Sequence, residues 1–186
     1  MVKQKTTTKD ALLNTAINLF RENGFENVTV EDICKEIDVT KTAFYYYYKS
    51  KDELIRDFFC GEHMLSHSEL AAILYEQDCA KQILRIMEMR IQQVTRAGLQ
   101  LAKELYRVYL KDEALPLAEQ NELSDILITL IKRGQEAGQI KNTAAPELLQ
   151  NTIWYLSNGI ILKWIMMGGS FDVLEENRIQ FAAVFY

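Results

Sequence analysis

Three helix-start signals near the N-terminus constrain the fold of this chain most strongly. In each, a serine or threonine whose hydroxyl can accept a bond from a first-turn amide is followed three positions later by an acidic residue. The pairs are Thr7 with Asp10, Thr29 with Asp32, and Ser50 with Glu53. A further helix begins at Thr40, directly after an Asp-Val pair. This segment is therefore predicted to form short helices joined by tight turns.

The rest of the chain also favours helix. Only 8 of the 186 residues are glycine and 2 are proline, and apolar residues recur at three-to-four spacing. We predict an all-α fold of about nine helices, with a three-helix head over residues 1–52 and a larger helical body over residues 53–186. The predicted helices of the body run from about Ser50 to Tyr75, Cys79 to Thr95, Leu99 to Leu110, from beyond Pro116 to Ala137, from Pro146 to Met167, and from Ser170 to Phe185.

The charge distribution is compatible with a nucleic-acid partner in spite of a net charge of -5. Residues 1–52 hold eight Lys/Arg and eight Asp/Glu, whereas residues 53–186 hold 13 Lys/Arg and 18 Asp/Glu. The acidic excess thus lies wholly in the body, which leaves the head free to approach a polyanion.

Several classes of protein are disfavoured by what the sequence lacks. No stretch of eighteen apolar residues exists and the N-terminus is polar, so we expect a cytoplasmic protein without a membrane partner. Cys34, Cys60 and Cys79 are odd in number and form no Cys-x-x-Cys pair, so we predict neither a disulfide nor a zinc site. No Ser/His/Asp, Cys/His or clustered carboxylate pattern indicates catalysis. We therefore expect no enzyme activity and no cofactor.

The second and third predicted helices have the layout of a helix-turn-helix. A short helix, a break of about four residues and another short helix is the arrangement that lays the second element into the DNA major groove. A small helical bundle without DNA-binding activity has the same spacing. The residues of the third helix have to separate these alternatives.

Four consecutive tyrosines, Tyr45 to Tyr48, lie in that third helix within "TKTAFYYYYKSK". Successive helical residues point about 100° apart, so Phe44 and Tyr48 share one face, which we predict to be buried. Tyr45, Tyr46 and Tyr47 then point outward or sideways, where they can contact DNA or pack on neighbouring helices. Exposed contiguous aromatics favour a contact partner, and both alternatives stay open at this point.

Residues 11 to 54, "ALLNTAINLFRENGFENVTVEDICKEIDVTKTAFYYYYKSKDEL", resemble the DNA-binding head of the TetR family of bacterial transcriptional regulators. The shared pattern is Leu-Phe-x-x-x-Gly-Phe, Thr-Val-x-x-Ile, Val-Thr, an aliphatic or aromatic residue followed by Tyr, and Ser-Lys-Asp-x-Leu. The resemblance implies a homodimer on a palindromic double-stranded operator. It also implies a body that provides the dimer interface and a pocket for a small-molecule effector.

The resemblance implies roles for individual residues of the head. Thr29 would contact phosphate, Lys41 and Thr42 would approach bases, the three tyrosines would line the DNA face, and Lys51 would hold the backbone. The full predicted DNA-binding set is Thr29, Thr40, Lys41, Thr42, Tyr45, Tyr46, Tyr47 and Lys51.

The chain departs from the family pattern at three places. Ile37-Asp38 stands where the family usually has Ala-Gly, so Asp38 must take a left-handed conformation at a modest cost. Thr42 replaces a frequent glycine, and Tyr48 replaces the usual phenylalanine. The operator sequence therefore cannot be transferred from a relative.

Candidate residues in the body are less specific. His63 and His67, at i, i+4 spacing, share a helix face, but no third ligand is signalled, so we predict no metal site. The candidates for an effector pocket are His63, His67, Tyr106, Tyr109, Trp154 and Tyr155. The eighth predicted helix is apolar on more than one side, which favours a second burial partner. The candidates for the dimer interface are Ile160, Ile161, Trp164, Phe181 and Phe185.

The function predicted from the sequence is a TetR-like, effector-responsive transcriptional repressor. One alternative is a DNA-binding protein of the same fold with an architectural role. The other is a helical enzyme or small-molecule carrier with a degenerate head. The sequence itself specifies neither the effector nor the operator.

Overall fold

The computed structural model describes residues 7–60, 73, 75–111 and 122–186, and within these ranges the chain forms helices and no strands. The all-α prediction is confirmed. The nine helices in the described ranges are α1 (Thr8–Asn23), α2 (Val30–Glu36), α3 (Lys41–Tyr47), α4 (Lys51–Cys60), α5 (Cys79–Ala97), α6 (Leu99–Lys111), α7 (Glu122–Glu136), α8 (Pro146–Met166) and α9 (Val173–Phe185).

The first two predicted helix caps form in full. Thr7 Oγ1 accepts from the Asp10 amide at 3.2 Å, while the Thr7 amide donates to Asp10 Oδ2 at 3.0 Å. Thr29 and Asp32 make the same reciprocal pair at the start of α2. Each pair satisfies two backbone donors that a helix N-terminus would otherwise leave without a partner.

The third predicted cap forms only in part. The Glu53 amide donates to Ser50 Oγ at 3.3 Å, as expected. The Glu53 carboxylate, however, accepts from the amide of Lys49 instead of that of Ser50. The backbone donor bonded to Glu53 is therefore one residue earlier in the chain than in a capping box.

The turn between α2 and α3 has the left-handed residue that the sequence predicts. Asp38 has φ 53°, the one positive φ at a non-glycine residue in the described ranges. The next amide, of Val39, donates back to the carbonyl of Cys34 at 3.0 Å. Asp38 thus takes the place that a glycine would occupy with less strain.

Helices α1 to α4 and α6 form the first of two compact units. Helix α1 packs against α2, α4 and α6, while α3 packs against α2. The core of this unit includes Leu12, Ala16, Ile17, Phe20, Val28, Ile33, Phe44, Tyr48, Leu54, Ile55, Leu101, Leu105 and Val108. The predicted domain boundary after residue 52 falls inside α4, and the whole of α4 belongs to the first unit. The position of the boundary therefore stays a prediction.

The second unit contains α7, α8, α9 and all but the last two residues of α5. Helix α8 packs against both α7 and α9. The core is built from Cys79, Ala80, Ile83, Ile86, Met87, Leu127, Leu130, Ile131, Ile140, Leu149, Ile153, Trp154, Phe181 and Phe185, together with Ile73.

Two further predictions concern the length of helices. The fourth helix was predicted to reach Tyr75, but residues 61–72 and 74 lie outside the described residues. Across the ranges that the structure describes, no helix combines the length and the apolar character that crossing a bilayer demands.

Candidate nucleic-acid interface

Helix α3 is anchored by one buried face. Phe44 is fully buried and Tyr48, the residue that ends the helix, is 2% exposed. At the other end, Thr40 Oγ1 accepts from the Ala43 amide at 3.1 Å and caps the helix. The predicted burial of Phe44 and Tyr48 is confirmed.

The other three tyrosines lie on the surface of the unit. Tyr45, Tyr46 and Tyr47 are 55%, 81% and 37% exposed. Tyr45 sets its ring edge against Phe44 at 5.4 Å between centroids, and Tyr46 meets Tyr47 edge to face at 4.9 Å. These contacts fix the rings relative to each other but leave their outer faces and hydroxyls open, together with the exposed Thr40, Lys41 and Thr42.

Lys41 does not stand alone on this surface. Its Nζ lies 2.8 Å from Glu31 Oε2 on α2, and Lys35 Nζ lies 2.9 Å from the other oxygen of the same carboxylate. The hydrogen bond from Lys35 and then that from Lys41 lower the pKa of Glu31 to about 2. One exposed carboxylate therefore neutralises part of the charge of two lysines, one of which is the predicted base reader.

Thr29 is engaged more fully than the resemblance implies. Its amide and its hydroxyl both donate to Asp32 Oδ2, at 2.8 and 2.6 Å. Both donors that could reach a phosphate are therefore used inside the chain. The predicted phosphate contact of Thr29 stays a prediction, and this geometry does not favour it.

Lys51 is likewise occupied inside the head. Its Nζ donates to the carbonyls of Phe25 and Val28, each at 2.7 Å, and lies 4.3 Å from the centre of the Phe25 ring. The ammonium thus ties the start of α4 to the loop between α1 and α2. This position supports a structural role in addition to the predicted contact with the DNA backbone, which stays untested.

The hydroxyl of Tyr48 has a partly buried partner. It donates to Asp57 Oδ2 at 2.7 Å, and the same oxygen lies 2.9 Å from Lys9 Nζ. Burial, reinforced by the bond to the Asp57 carboxylate, raises the pKa of Tyr48 well above its ordinary value. This network joins the end of α3 to α1 and α4 and so fixes the orientation of the tyrosine-bearing helix.

A second ion-pair group ties α4 to α6. Asp52 accepts from Arg107 Nη2 and from Lys111 Nζ, both at 2.7 Å, and Arg107 Nε also lies 2.6 Å from Glu104. Burial alone would raise the pKa of Asp52, but the bonds from Arg107 and Lys111 outweigh it and hold the pKa below its usual value. The first turn of α4, the helix that follows α3, is therefore connected to α6.

The described effector candidates belong to different units. Tyr106 and Tyr109 belong to the first unit, with ring centres 5.9 Å apart, whereas Trp154 and Tyr155 belong to the second. Trp154 is 9% exposed and stacks on the guanidinium of Arg90, while Tyr155 is 54% exposed. His63 and His67 lie outside the described residues, and no group of three metal-ligating residues occurs within the described ranges.

The five dimer-interface candidates lie in the core of the chain itself. Each is at most 9% exposed: Ile160, Ile161, Trp164, Phe181 and Phe185. Their burial does not support the predicted role in a dimer interface, because a side chain covered within one chain has little left to offer a partner. The exposed apolar residues of α8 and α9 are different ones, among them Tyr155, Leu162, Met166, Ile179 and Tyr186.

Some residues of the site were missed by the sequence analysis. Glu31 and Lys35 have the i, i+4 spacing of a helical ion pair, a signal that was present and not used. The partnership of Glu31 with Lys41 spans ten residues and two helices, and that of Asp52 with Arg107 spans 55 residues. Pairs at such separations have no periodicity that a sequence pattern could reveal.

The fold and the site together define an all-helical protein with a helix-turn-helix head whose second helix presents an exposed tyrosine and lysine surface. Residues 12–58 match the family model described as "Bacterial regulatory proteins, tetR family". The resemblance seen in residues 11–54 is therefore confirmed by a family match over residues 12–58.

Two relatives with known functions match this chain over short segments. The chain is 40% identical over 48 residues to IcaR of Staphylococcus epidermidis, the negative transcriptional regulator of the biofilm operon icaADBC, covering 26% of each protein. It is 37% identical over 46 residues to IcaR of Staphylococcus aureus, covering 25% of each. The matched segment thus spans about a quarter of the length of these relatives.

Solved structures show the same fold over nearly the whole chain. The FadR repressor of Thermus thermophilus, a TetR-family protein in complex with lauroyl-CoA, aligns with a TM-score of 0.67 at 18% identity, over 95% of this chain and 92% of that one. FadR of Bacillus subtilis, in complex with stearoyl-CoA, aligns with a TM-score of 0.60 at 15% identity, over 94% and 96%. The fold is therefore TetR-like beyond the head.

Proposed function

We propose that this protein is a DNA-binding transcriptional repressor of the TetR type. The observation that carries the proposal is the surface of α3, where Thr42, Lys41 and three exposed tyrosines stand on a helix fixed from behind by Phe44 and Tyr48. Tyrosine hydroxyls can bond phosphate oxygens, and lysine can donate to guanine edges. The tetR-family match of residues 12–58 gives independent support.

A homodimer is part of the proposal, because a two-fold protein reads a palindromic operator. Helix α8 is long and apolar around its circumference, and it buries one side in the chain. Its exposed positions Tyr155, Gly159, Leu162 and Met166 follow i, i+4, i+7, i+11 spacing and form a separate stripe. On α9, Ile179, Ala182, Ala183 and Tyr186 form a second exposed stripe. These two stripes are our proposed dimer interface.

Modulation by a small molecule is the third part of the proposal. Two proteins of the same fold are in complex with acyl-CoA molecules. Helix α6 is joined to the first turn of α4 by the ion pairs of Asp52 with Arg107 and Lys111. Because α4 follows α3 directly, a movement of α6 can be transmitted to the DNA-contacting helix. An effector that favours another position of α6 would change the affinity for DNA by its differential binding to the two states. We place this protein in the cytoplasm, with access to the chromosome.

The proposal is tested by selection of bound duplexes from a random library, followed by binding titrations on the enriched sequence. We expect a palindromic site bound by two copies of the chain. Lys41→Ala and Thr42→Ala should change the preferred bases, whereas Leu110→Ala, an exposed change on α6, should not. Failure to enrich any sequence would refute specific DNA binding. Many dispersed sites in the genome, instead of a few at promoters, would favour an architectural role.

A further inference from the structure

The second unit contains a buried arginine whose positive charge no carboxylate of the described ranges neutralises. Arg90 on α5 is 9% exposed. Its Nη2 donates to Asn158 Oδ1 at 3.0 Å, and its guanidinium carbon lies 4.0 Å from the centre of the Trp154 ring. Its Nη1 is buried and meets no acceptor in that part of the chain. Arginine keeps its charge at all relevant pH values, so it cannot escape the cost of burial by losing a proton.

Two more buried donors that meet no acceptor among the described residues lie on α8 and α9. Trp154 Nε1, on the indole against which the guanidinium stacks, is one. Asn177 Nδ2 on α9 is the other, while Asn177 Oδ1 accepts from Ser157 at 3.0 Å. Arg90 is bonded to Asn158 of α8 and stacks on Trp154 one turn earlier, while Asn177 is bonded to Ser157, so all three donors belong to side chains that meet residues 154–158 of that helix. We refer to Arg90, Trp154 and Asn177 as the donor cluster.

The chain has carboxylates close by in sequence but uses them elsewhere. Glu88, two residues before Arg90, pairs with the half-exposed Arg178 on α9. Glu176, next to Asn177, pairs with Lys163 at 3.2 Å. Both pairs lie at the surface, where ion pairs contribute little to stability. The buried cation, for which an opposite charge matters most, is the one left without it.

We propose that the donor cluster binds the carboxylate of an apolar organic acid, which would be the effector of this regulator. A carboxylate has two oxygens with several lone pairs and can accept from a guanidinium and from neighbouring N–H groups together. The surrounding core, with Ile83, Met87 and Ile153, would suit an apolar remainder of the molecule. The inference rests on the proposed effector-responsive function and specifies its ligand.

The variant that tests the proposal is Arg90→Met, which keeps the length of the side chain and removes the charge. Because a buried charge without a counter-ion is costly, we expect this variant to be at least as heat-stable as the wild type without ligand. The matched control is Arg178→Met, which removes an exposed, paired arginine in the same unit. It should leave ligand binding unchanged.

The measurement is a thermal-unfolding screen of the full chain with straight-chain and aromatic carboxylic acids of two to sixteen carbons, each beside its primary amide. We expect at least one acid to raise the Tm by several degrees and its amide to raise it much less. Titration calorimetry of that acid should show binding at least tenfold weaker in Arg90→Met and unchanged in Arg178→Met.

Three results would overturn the inference: no acid stabilises the wild type, acid and amide act alike, or Arg90→Met binds the acid as well as the wild type. A marked loss of stability in ligand-free Arg90→Met would also contradict it, since it would show a purely structural role for the guanidinium. DNA binding of the same samples is measured separately. Failure of the wild type to bind any duplex would refute the proposed regulator without deciding whether the acid binds.

Discussion

The pairing of Glu31 with Lys41 predicts how the head separates specific from non-specific DNA. Glu31 holds Lys41 at 2.8 Å and Lys35 at 2.9 Å on its two oxygens. In this arrangement Glu31 offsets part of the positive charge that the two lysines would otherwise present to a phosphate backbone. A guanine edge offers Lys41 two acceptors in one place, so it can compete with the carboxylate better than a single phosphate oxygen can. We therefore expect Glu31 to suppress non-specific binding.

The change to make is Glu31→Gln, which keeps the shape of the side chain and releases both ammonium groups. Each additional phosphate contact steepens the plot of log affinity against log salt by about 0.9. Release of Lys41 alone predicts a slope steeper by about 0.9 on a non-specific duplex, and release of both lysines by about 1.8. Between 50 and 200 mM salt, this amounts to an extra loss of affinity of about 3- to 12-fold relative to the wild type.

The assay is fluorescence anisotropy on a random duplex and on the selected operator across that salt range. The control is Glu36→Gln, which makes the same change of charge at another exposed glutamate of α2. A Lys41→Gln background should remove the part of the effect that acts through Lys41. Equal slopes for Glu31→Gln and Glu36→Gln would show that only overall charge matters and would refute this reasoning.

Four other changes test the structure in separate places. Tyr48→Phe removes the hydroxyl bonded to Asp57, and we expect urea unfolding to show a loss of about 1 to 2 kcal/mol. Lys51→Met leaves two carbonyls without their charged donor, so it should cost about 1 to 3 kcal/mol in the same assay even without DNA; an unchanged stability would mean that the ammonium serves the DNA backbone alone. Leu162→Glu should dissociate the proposed dimer in analytical ultracentrifugation, whereas Leu110→Glu, the same apolar-to-acidic change at a more exposed position on α6, should not. Asp52→Asn should flatten the acid limb of stability against pH: the pKa of Asp52 is lowered on folding, so the pairing stabilises the fold above the ordinary value of 3.8 and is lost as pH falls through the lower, folded value.

Local chemistry made much of the head predictable. The caps at Thr7 and Thr29 act over three residues, and the burial of Phe44 with Tyr48 follows from a spacing of four. Asp38 was expected at positive φ because the family that the head resembles usually has glycine at this position. In each case the interacting groups are neighbours along the chain, so the sequence contains the relevant geometry.

Lys51 shows where such reasoning stops. A lysine at the first turn of a helix suits a phosphate contact, and no acidic residue stands three or four positions from Lys51 in the sequence. The structure supplies two, the carbonyls of Phe25 and Val28, which are 26 and 23 residues away. Whether a lysine points outward or caps a distant loop depends on how the loop folds, and side-chain type carries no information about that.

Helix α8 shows a different gap, in which the apolar pattern predicts two buried sides but does not assign either of them to a partner. The apolar circumference predicts two burial partners, and the stripes through Ile160 and Trp164 and through Leu162 and Met166 are both apolar. Periodicity separates these stripes but does not say which one faces the chain's own core. Burial of either stripe would give a similar stabilising free energy from dispersion and from the removal of apolar area from water. Packing against α7 and α9 decides it by covering Ile160 and Trp164. The stripe through Leu162 is then the side of α8 that a second copy of the chain would cover, which is why the dimer test is placed there.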